Sequence, residues 1–370
     1  MDSDERNKPD YSTPDFGSEK IDEEWKKELK INIQKVQDPR IKDLLESLNS
    51  TGDPVEIVEI CSQISLLDPE NYVADMHKAK VYSNWNQIKK ADLLFHSAIR
   101  KADDKSSLLF VTYGYFLNFT GKHEEAMSCY DKAISIDENN AEAWSNKGHA
   151  LSYLKKNEEA MSCYDKAISI DENNTYAWSN KGIALHRLQK YEEAVPYYDK
   201  AISVDENNMY AWSNKGLALN YLGKHEEAVQ CYNKVTSLDE NNADAWNNKG
   251  DSLRNLQKYE EAISCYDKLI SLDENNADAW LNKGFTLAIH GKHEEAVPCF
   301  DRSTVIDKNN SRAWFYKGLT LQSLEKHEEA VQCYNKVTSL DENHVNAWYL
   351  KGQELVNLEK DEEAVPCFDK

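Results

Sequence analysis

The stretch AWSNKG at residues 143–148 recurs unchanged at 177–182 and again at 211–216. The interval carries through the chain. Tryptophans stand at Trp144, Trp178, Trp212, Trp246, Trp280, Trp314 and Trp348, each 34 residues from the last, with a glycine four residues after each, Gly148 to Gly352. Alanines hold a third register from Ala160 to Ala364, and aromatic rings a fourth: Tyr164, Tyr198, Tyr232, Tyr266, Phe300, Tyr334 and Phe368. Phe110, Gly114, Ala126 and Tyr130 place an earlier copy at 107–140.

Each unit reads as two helices. Trp144, Gly148 and Leu151 fall at helical spacing on one face of the first. The residues Lys155–Lys156–Asn157 break that pattern, after which Ala160, Tyr164, Ala167 and Ile168 mark an amphipathic second helix. Glu158 and Glu159 open it, where negative charge complements the helix dipole, and Asn174 is placed to cap the helix that follows. Small residues at 148 and 160 let the paired helices approach, with Trp144 and Tyr164 expected to fill the space beside them. One helix pair cannot hide this much apolar surface, so the pairs must stack on one another.

The pattern resembles the tetratricopeptide repeat (TPR), whose 34-residue signature is W-x2-L-G-x2-Y, then A-x3-F, then Pro. The resemblance covers 107–370 as seven full repeats and a truncated eighth. Three departures stand out: Lys147 and its equivalents replace the Leu before Gly, Leu151 replaces the Tyr, and Glu172 replaces the closing Pro. Without that Pro the turns are expected to soften, and Pro196, Pro298 and Pro366 inside second helices are expected to kink them. Residues 38–106 read as two degenerate TPR-like repeats. Residues 1–37 read as a disordered acidic tail with a lead-in helix carrying Ile21, Trp25 and Leu29 on one side. The fold implied is all-α, a right-handed superhelical solenoid of antiparallel helix pairs.

In that family the face of each first helix opposite the Trp lines a concave groove for a peptide or helix of a partner. At 100° per residue, Asn146 lies about 200° from Trp144, with Ser145 near 100°, His149 near 140° and Tyr153 near 180°. Asn146, Asn180, Asn214, Asn248 and Asn282 would form a ladder of amides able to pair with any peptide backbone, or would simply set repeat geometry. Tyr153, Arg187 and Tyr221 belong to the early groove, with Tyr176, His186, Asp251 and Arg254 nearby. Leu281, Phe285, Phe315, Tyr316 and Tyr349 make its later part apolar. Some members grip a C-terminal carboxylate with Lys and Asn in the groove. Here Ser145, Ser179, Ser213 and Asn247 stand for the Lys, and His149, Ile183, Leu217 and Asp251 for the Asn, so that role is not implied.

The net charge of −21 argues against sequence-independent nucleic-acid binding and against docking on anionic membranes. No secretory signal is visible at the N-terminus, and a cytoplasmic location is expected. Seven of the eight cysteines share one repeat position, with no CxxC pair for zinc or redox work. HEEAV at 225–229 lacks the second His of a zinc protease, and no phosphate loop or nucleophile elbow occurs. The expectation is therefore a non-enzymatic, cofactor-free protein-interaction scaffold. The alternative is a self-assembling structural protein stacking through its C-terminal repeat, which ends inside its second helix.

Overall fold

A computed structural model describes residues 19–102 and 105–370. The tail expected ahead of residue 19 lies outside the described residues. Among the described residues every regular element is an α-helix, twenty-one in all, and they fall into two compact units, 1–206 and 207–370.

Unit 1 opens with α1 (Glu19–Lys35), followed by the pairs α2 (Pro39–Ser50) with α3 (Pro54–Leu67) and α4 (Tyr72–Asn84) with α5 (Ile88–Lys101). Three regular pairs complete it: α6 (Ser107–Phe119) with α7 (His123–Ile136), α8 (Ala141–Tyr153) with α9 (Asn157–Ile170), and α10 (Thr175–Arg187) with α11 (Tyr191–Val204). Unit 2 contains α12 (Met209–Tyr221) with α13 (His225–Leu238), α14 (Ala243–Asn255) with α15 (Tyr259–Leu272), and α16 (Ala277–Ile289) with α17 (His293–Ile306). It closes with α18 (Ser311–Ser323) and α19 (His327–Leu340), then α20 (Val345–Asn357) and α21 (Asp361–Phe368).

Sequence chemistry sets these boundaries. Asn174 Oδ1 accepts the Ala177 N–H at 2.9 Å, and Asn140, Asn208, Asn242, Asn276 and Asn310 cap their helices in the same way. The preceding turn does not need the family's proline. Asp171 Oδ1 accepts the Asn173 N–H at 3.0 Å, an Asx-turn that holds the loop before the cap. Nor does an internal proline end a helix: α11 runs unbroken through Pro196. The turn inside each repeat requires a left-handed residue. Gly223 and Gly291 take it freely, but Lys155, Gln189, Gln257 and Glu325 adopt the same positive φ with a Cβ.

Within a pair, the ring on the second helix lies against the glycine of the first. A Cβ on Gly148 would stand 2.6 Å from Tyr164 Cε1, and Tyr164 is fully buried. All seven tryptophans are partly buried. Their indole N–H groups reach back to the preceding loop: Trp144 Nε1 donates to the Glu138 carbonyl at 3.1 Å, and Trp178 to that of Glu172 at 2.9 Å. Trp246, Trp280, Trp314 and Trp348 clamp the inter-repeat turn in the same way, and Trp144, Trp246, Trp280, Trp314 and Trp348 also pack against the buried cores of their repeats.

The lysine of AWSNKG joins neighbouring repeats. Lys147 Nζ pairs with Asp131 on the previous second helix at 2.5 Å, Lys283 with Asp267 and Lys317 with Asp301 at 2.6 Å, and Lys181 with Asp165. Where that Asp is replaced by Asn233 or Asn335, the lysine turns to the indole instead. Lys249 and Lys351 lie 4.7 Å from the Trp246 and Trp348 ring centres, against 5.7 Å for Lys147 and Lys283.

Candidate partner-binding face

First helices touch the first helices of the next repeat, α6 with α8 and α8 with α10 in unit 1, α12 with α14 and α16 with α18 in unit 2. In each unit they therefore present one continuous face. The predicted site residues divide into those on this face and those turned inward.

The amide ladder is largely architectural. Asn146, Asn180 and Asn214 are buried, at 5%, 3% and 3% exposure. Asn180 Nδ2 donates to the Tyr176 carbonyl one turn back at 2.9 Å, and Asn214 to that of Tyr210 at 2.9 Å. Asn282 Nδ2 reaches the previous repeat and donates to Asn247 Oδ1 at 3.0 Å. Asn248 is partly buried, and its backbone carbonyl accepts the Ser252 hydroxyl at 2.7 Å. The serines face inward as well, with Ser145 and Ser179 1% exposed. Leu281, in the same register, is 1% exposed and packs with Leu287, Ala296 and Phe300. It is a core residue, not a groove residue.

In unit 1 the face gathers an aromatic–imidazole cluster. Tyr153 stacks on His123 with ring centres 4.7 Å apart and meets His149 edge-on at 4.8 Å, while His149 lies 5.7 Å from Tyr176. Arg187 from the next first helix lies over the Tyr153 ring at 5.9 Å, and its Nη1 donates to the Ser152 carbonyl at 2.7 Å. Burial, with the Arg187 and His123 charges, pushes His149 down to about 3. His186 is buried edge-on against Tyr191 at 4.8 Å, and burial pushes it down to about 4.

In unit 2, Phe285 and Tyr316 meet at 4.7 Å across α16 and α18, both partly exposed. Arg254 lies over Phe285 at 5.4 Å and is held by Asp251 at 2.8 Å and the Tyr266 hydroxyl oxygen at 2.9 Å. Tyr221 and Ile289, 40% and 44% exposed, stand on first helices of the same unit. Phe315 does not join this pair face-on. It packs against His344 at 5.0 Å and Tyr334 at 6.2 Å, towards the following repeat. Tyr349 is 54% exposed and touches Phe368 at 6.0 Å.

One network was not read from sequence. Glu354 is fully buried, accepting from Gln322 Nε2 at 2.8 Å and facing His327 Nδ1 at 2.7 Å. Its signal was available, because Glu354 occupies the register that holds Ala150, Ala184 and Ala218. Among the described residues no group of three or more His, Cys, Asp or Glu is disposed to hold a metal, and no helix is long and apolar enough to cross a membrane.

This architecture defines a solenoid of stacked helix pairs with a first-helix face in each unit, and comparison with known proteins gives its family. Models described as tetratricopeptide repeat match residues 141–174, 175–208 and 197–230, and one described as TPR repeat matches 119–154, 216–256 and 250–291. A model described as anaphase-promoting complex, cyclosome, subunit 3 matches 289–370. The chain belongs to the tetratricopeptide-repeat family, whose stacked repeats build protein-interaction scaffolds. No curated protein matches the chain significantly.

Solved structures share the fold. The C-terminal part of a TPR repeat-containing protein from Cytophaga hutchinsonii is 16% identical, with TM-score 0.55 over 64% of this chain and 97% of that one. The APC/C hetero-tetramer Cut9–Hcn1 is 16% identical, with TM-score 0.53 over 78% of this chain and 58% of that one. Pseudomonas aeruginosa pilF is 20% identical, with TM-score 0.50 over 57% of this chain and 96% of that one.

Proposed function

We propose that the chain is a non-enzymatic, cytoplasmic scaffold that binds a helix or peptide of a partner protein on the first-helix face. The observation that carries this reading is the unit 2 surface of Phe285 and Tyr316, in contact across repeats and still partly open to solvent, with exposed Ile289 on the same helix as Phe285. Partly exposed aromatic groups held by a rigid scaffold are the groups on which binding energy concentrates. Arg254, fixed by Asp251 and Tyr266, sets a cation beside them. Asn180, Asn214 and Asn282 donate their amides within the repeats, which favours contacts through the aromatic groups over a grip on the ligand's backbone. The cytoplasmic assignment rests on eight free cysteines, which suit a reducing compartment.

The test is selection of a displayed helical-peptide library against the full chain, followed by affinity measurement of the selected peptide. Phe285→Ala with Tyr316→Ala is expected to weaken binding by about tenfold or more. Val305→Ala, on the exposed side of a second helix, is expected to leave it unchanged. Equal loss in both variants, or loss only in Val305→Ala, contradicts the reading.

A second reading has its own observation. Tyr349, Val365 and Phe368 of α20 and α21 are 54%, 60% and 47% exposed, whereas the residues equivalent to Phe368 are fully buried in earlier repeats. Self-association through this surface would raise the mass seen by light scattering with concentration, and a constant monomer mass would exclude it.

A further inference from the structure

Arg254 brings more to its repeat than the repeat's architecture uses. It shares a register with Asn118 and Gln322, where the side chain meets the ring hydroxyl of the second helix. Asn118 Nδ2 donates to the Tyr130 hydroxyl oxygen at 3.3 Å, and Gln322 Oε1 accepts the Tyr334 hydroxyl at 3.2 Å. A neutral amide is therefore enough to satisfy the ring. At residue 254 a guanidinium stands in that place. Its Nη1 donates to the Tyr266 hydroxyl oxygen at 2.9 Å and lies 2.8 Å from Asp251 Oδ1, which in turn accepts the Tyr266 hydroxyl at 2.8 Å. Tyr266 is fully buried against Gly250, so this triangle fixes the guanidinium.

Only one of the three guanidinium nitrogens is engaged. Nε and Nη2 have no hydrogen-bond acceptor among the described residues, and the side chain is 19% exposed. Those two nitrogens form one edge of the planar group, with parallel N–H bonds that match both oxygens of a carboxylate. The same guanidinium lies over the Phe285 ring at 5.4 Å, and Phe285 meets Tyr316 at 4.7 Å. The three residues thus form a row across α14, α16 and α18, with a charged fork at one end and partly exposed rings at the other. The nearby acidic residues do not cancel the fork. Asp251 covers Nη1 alone, and Asp244 and Asp278 stand in the first turns of α14 and α16. Ten residues of helix put Asp244 roughly 15 Å from Arg254 along the axis. That exceeds the ~8 Å over which charge acts at physiological salt.

We infer that the unit 2 face selects a partner helix carrying a carboxylate one turn from a large apolar residue. The carboxylate takes the Nε and Nη2 edge of Arg254, and the apolar group lies on Phe285 and Tyr316. Side chains three or four residues apart on a helix stand about 5–6 Å from one another, which matches the spacing of guanidinium and ring. Arg254 is then the specificity-determining residue of this surface, and Asp251 and Tyr266 are positioning residues that fix it. The inference rests on the unit 2 reading above and names the chemistry of its ligand.

The test displays Ala-rich amphipathic helices with one fixed Trp and with Glu, Gln or Lys, equally represented, one turn from it. The library is selected against the full chain at physiological salt. Glu is expected to be enriched about tenfold over Gln, since a hydrogen bond to a charged group is the stronger kind. On Arg254→Gln, which installs the neutral amide that Gln322 supplies in its own repeat, that preference is expected to vanish while Trp-bearing helices are still recovered. The ratio of Glu to Gln is read within one protein, so a change in stability does not mimic the effect. On Phe285→Ala with Tyr316→Ala, recovery of all helices is expected to fall. Equal recovery of Glu and Gln on the wild type overturns the inference, as does a preference that survives Arg254→Gln. A preference for Lys overturns it as well, by assigning recognition to Asp251. In each of these cases the unit 2 reading stands if recovery still falls in the Phe285 and Tyr316 variant. Recovery unchanged in that variant, or no recovery on the wild type, contradicts the unit 2 reading and this inference with it.

Discussion

At the scale of the residue, AWSNKG divides its labour among neighbours. Gly148 admits the Tyr164 ring, Lys147 ties the helix to Asp131, and Trp144 clamps the Glu138 carbonyl. Ser145 and Asn146 turn inward. The glycine is the least replaceable of these. Gly182→Ala would put a Cβ 2.6 Å from Tyr198 Cε1, with the ring fully buried and unable to swing away. We expect a loss of about 1–3 kcal/mol, measured by denaturant unfolding, from overpacking a tight contact. The opposite sign is expected in the turn after α14. Gln257 sits at φ 60° where Gly223 and Gly291 occupy the equivalent position, so Gln257→Gly should stabilise unit 2 by up to about 1 kcal/mol in the same assay. The glycine and ring registers were legible because their spacing alone implies the contact. The inward turn of Ser145 and Leu281 was not. A helical wheel gives direction around one helix, but burial depends on the helices packed beside it.

At the scale of the element, the boundaries were written in the sequence by Asn caps, Asp turns and paired Glu at second-helix starts. Asp171 and Asn174 hold the loop where the family has its proline, and α11 continues through Pro196. Electrostatics distinguish the elements further. His77, His149 and His186, all in first helices of unit 1, are held neutral, down at about 3, about 3 and about 4, against an ordinary 6.5. The sign follows directly. Below the ordinary value the unfolded chain takes up protons that the folded helices refuse, so stability is full above about pH 6.5 and falls as pH drops towards 3–4. The melting temperature of unit 1, followed by hydrogen exchange of its helices, is expected to be lower at pH 5.5 than at pH 7.5. His149→Gln should shrink that difference; an unchanged difference would show that His149 is not held neutral.

At the scale of the molecule, repetition made the architecture legible and the specificity hard to read. Registers that repeat reveal stacking, whereas a binding site consists of the places where registers change. Leu217, Asp251, Phe285 and Leu319 occupy one position in successive repeats of unit 2, and Arg254 and Tyr316 become meaningful only once Phe285 is placed between them. The non-repeating α1 likewise gave its amphipathic face to the sequence reading, but the packing of Trp25 on His77 and Lys80 needed the fold.

The central claim is that first helices form the interaction surface. The most direct measurement is hydrogen–deuterium exchange of the full chain with and without the selected helical peptide. The account expects slowed exchange in α14, α16 and α18, with α15 and α17 unchanged. Protection confined to α15 and α17 would contradict it.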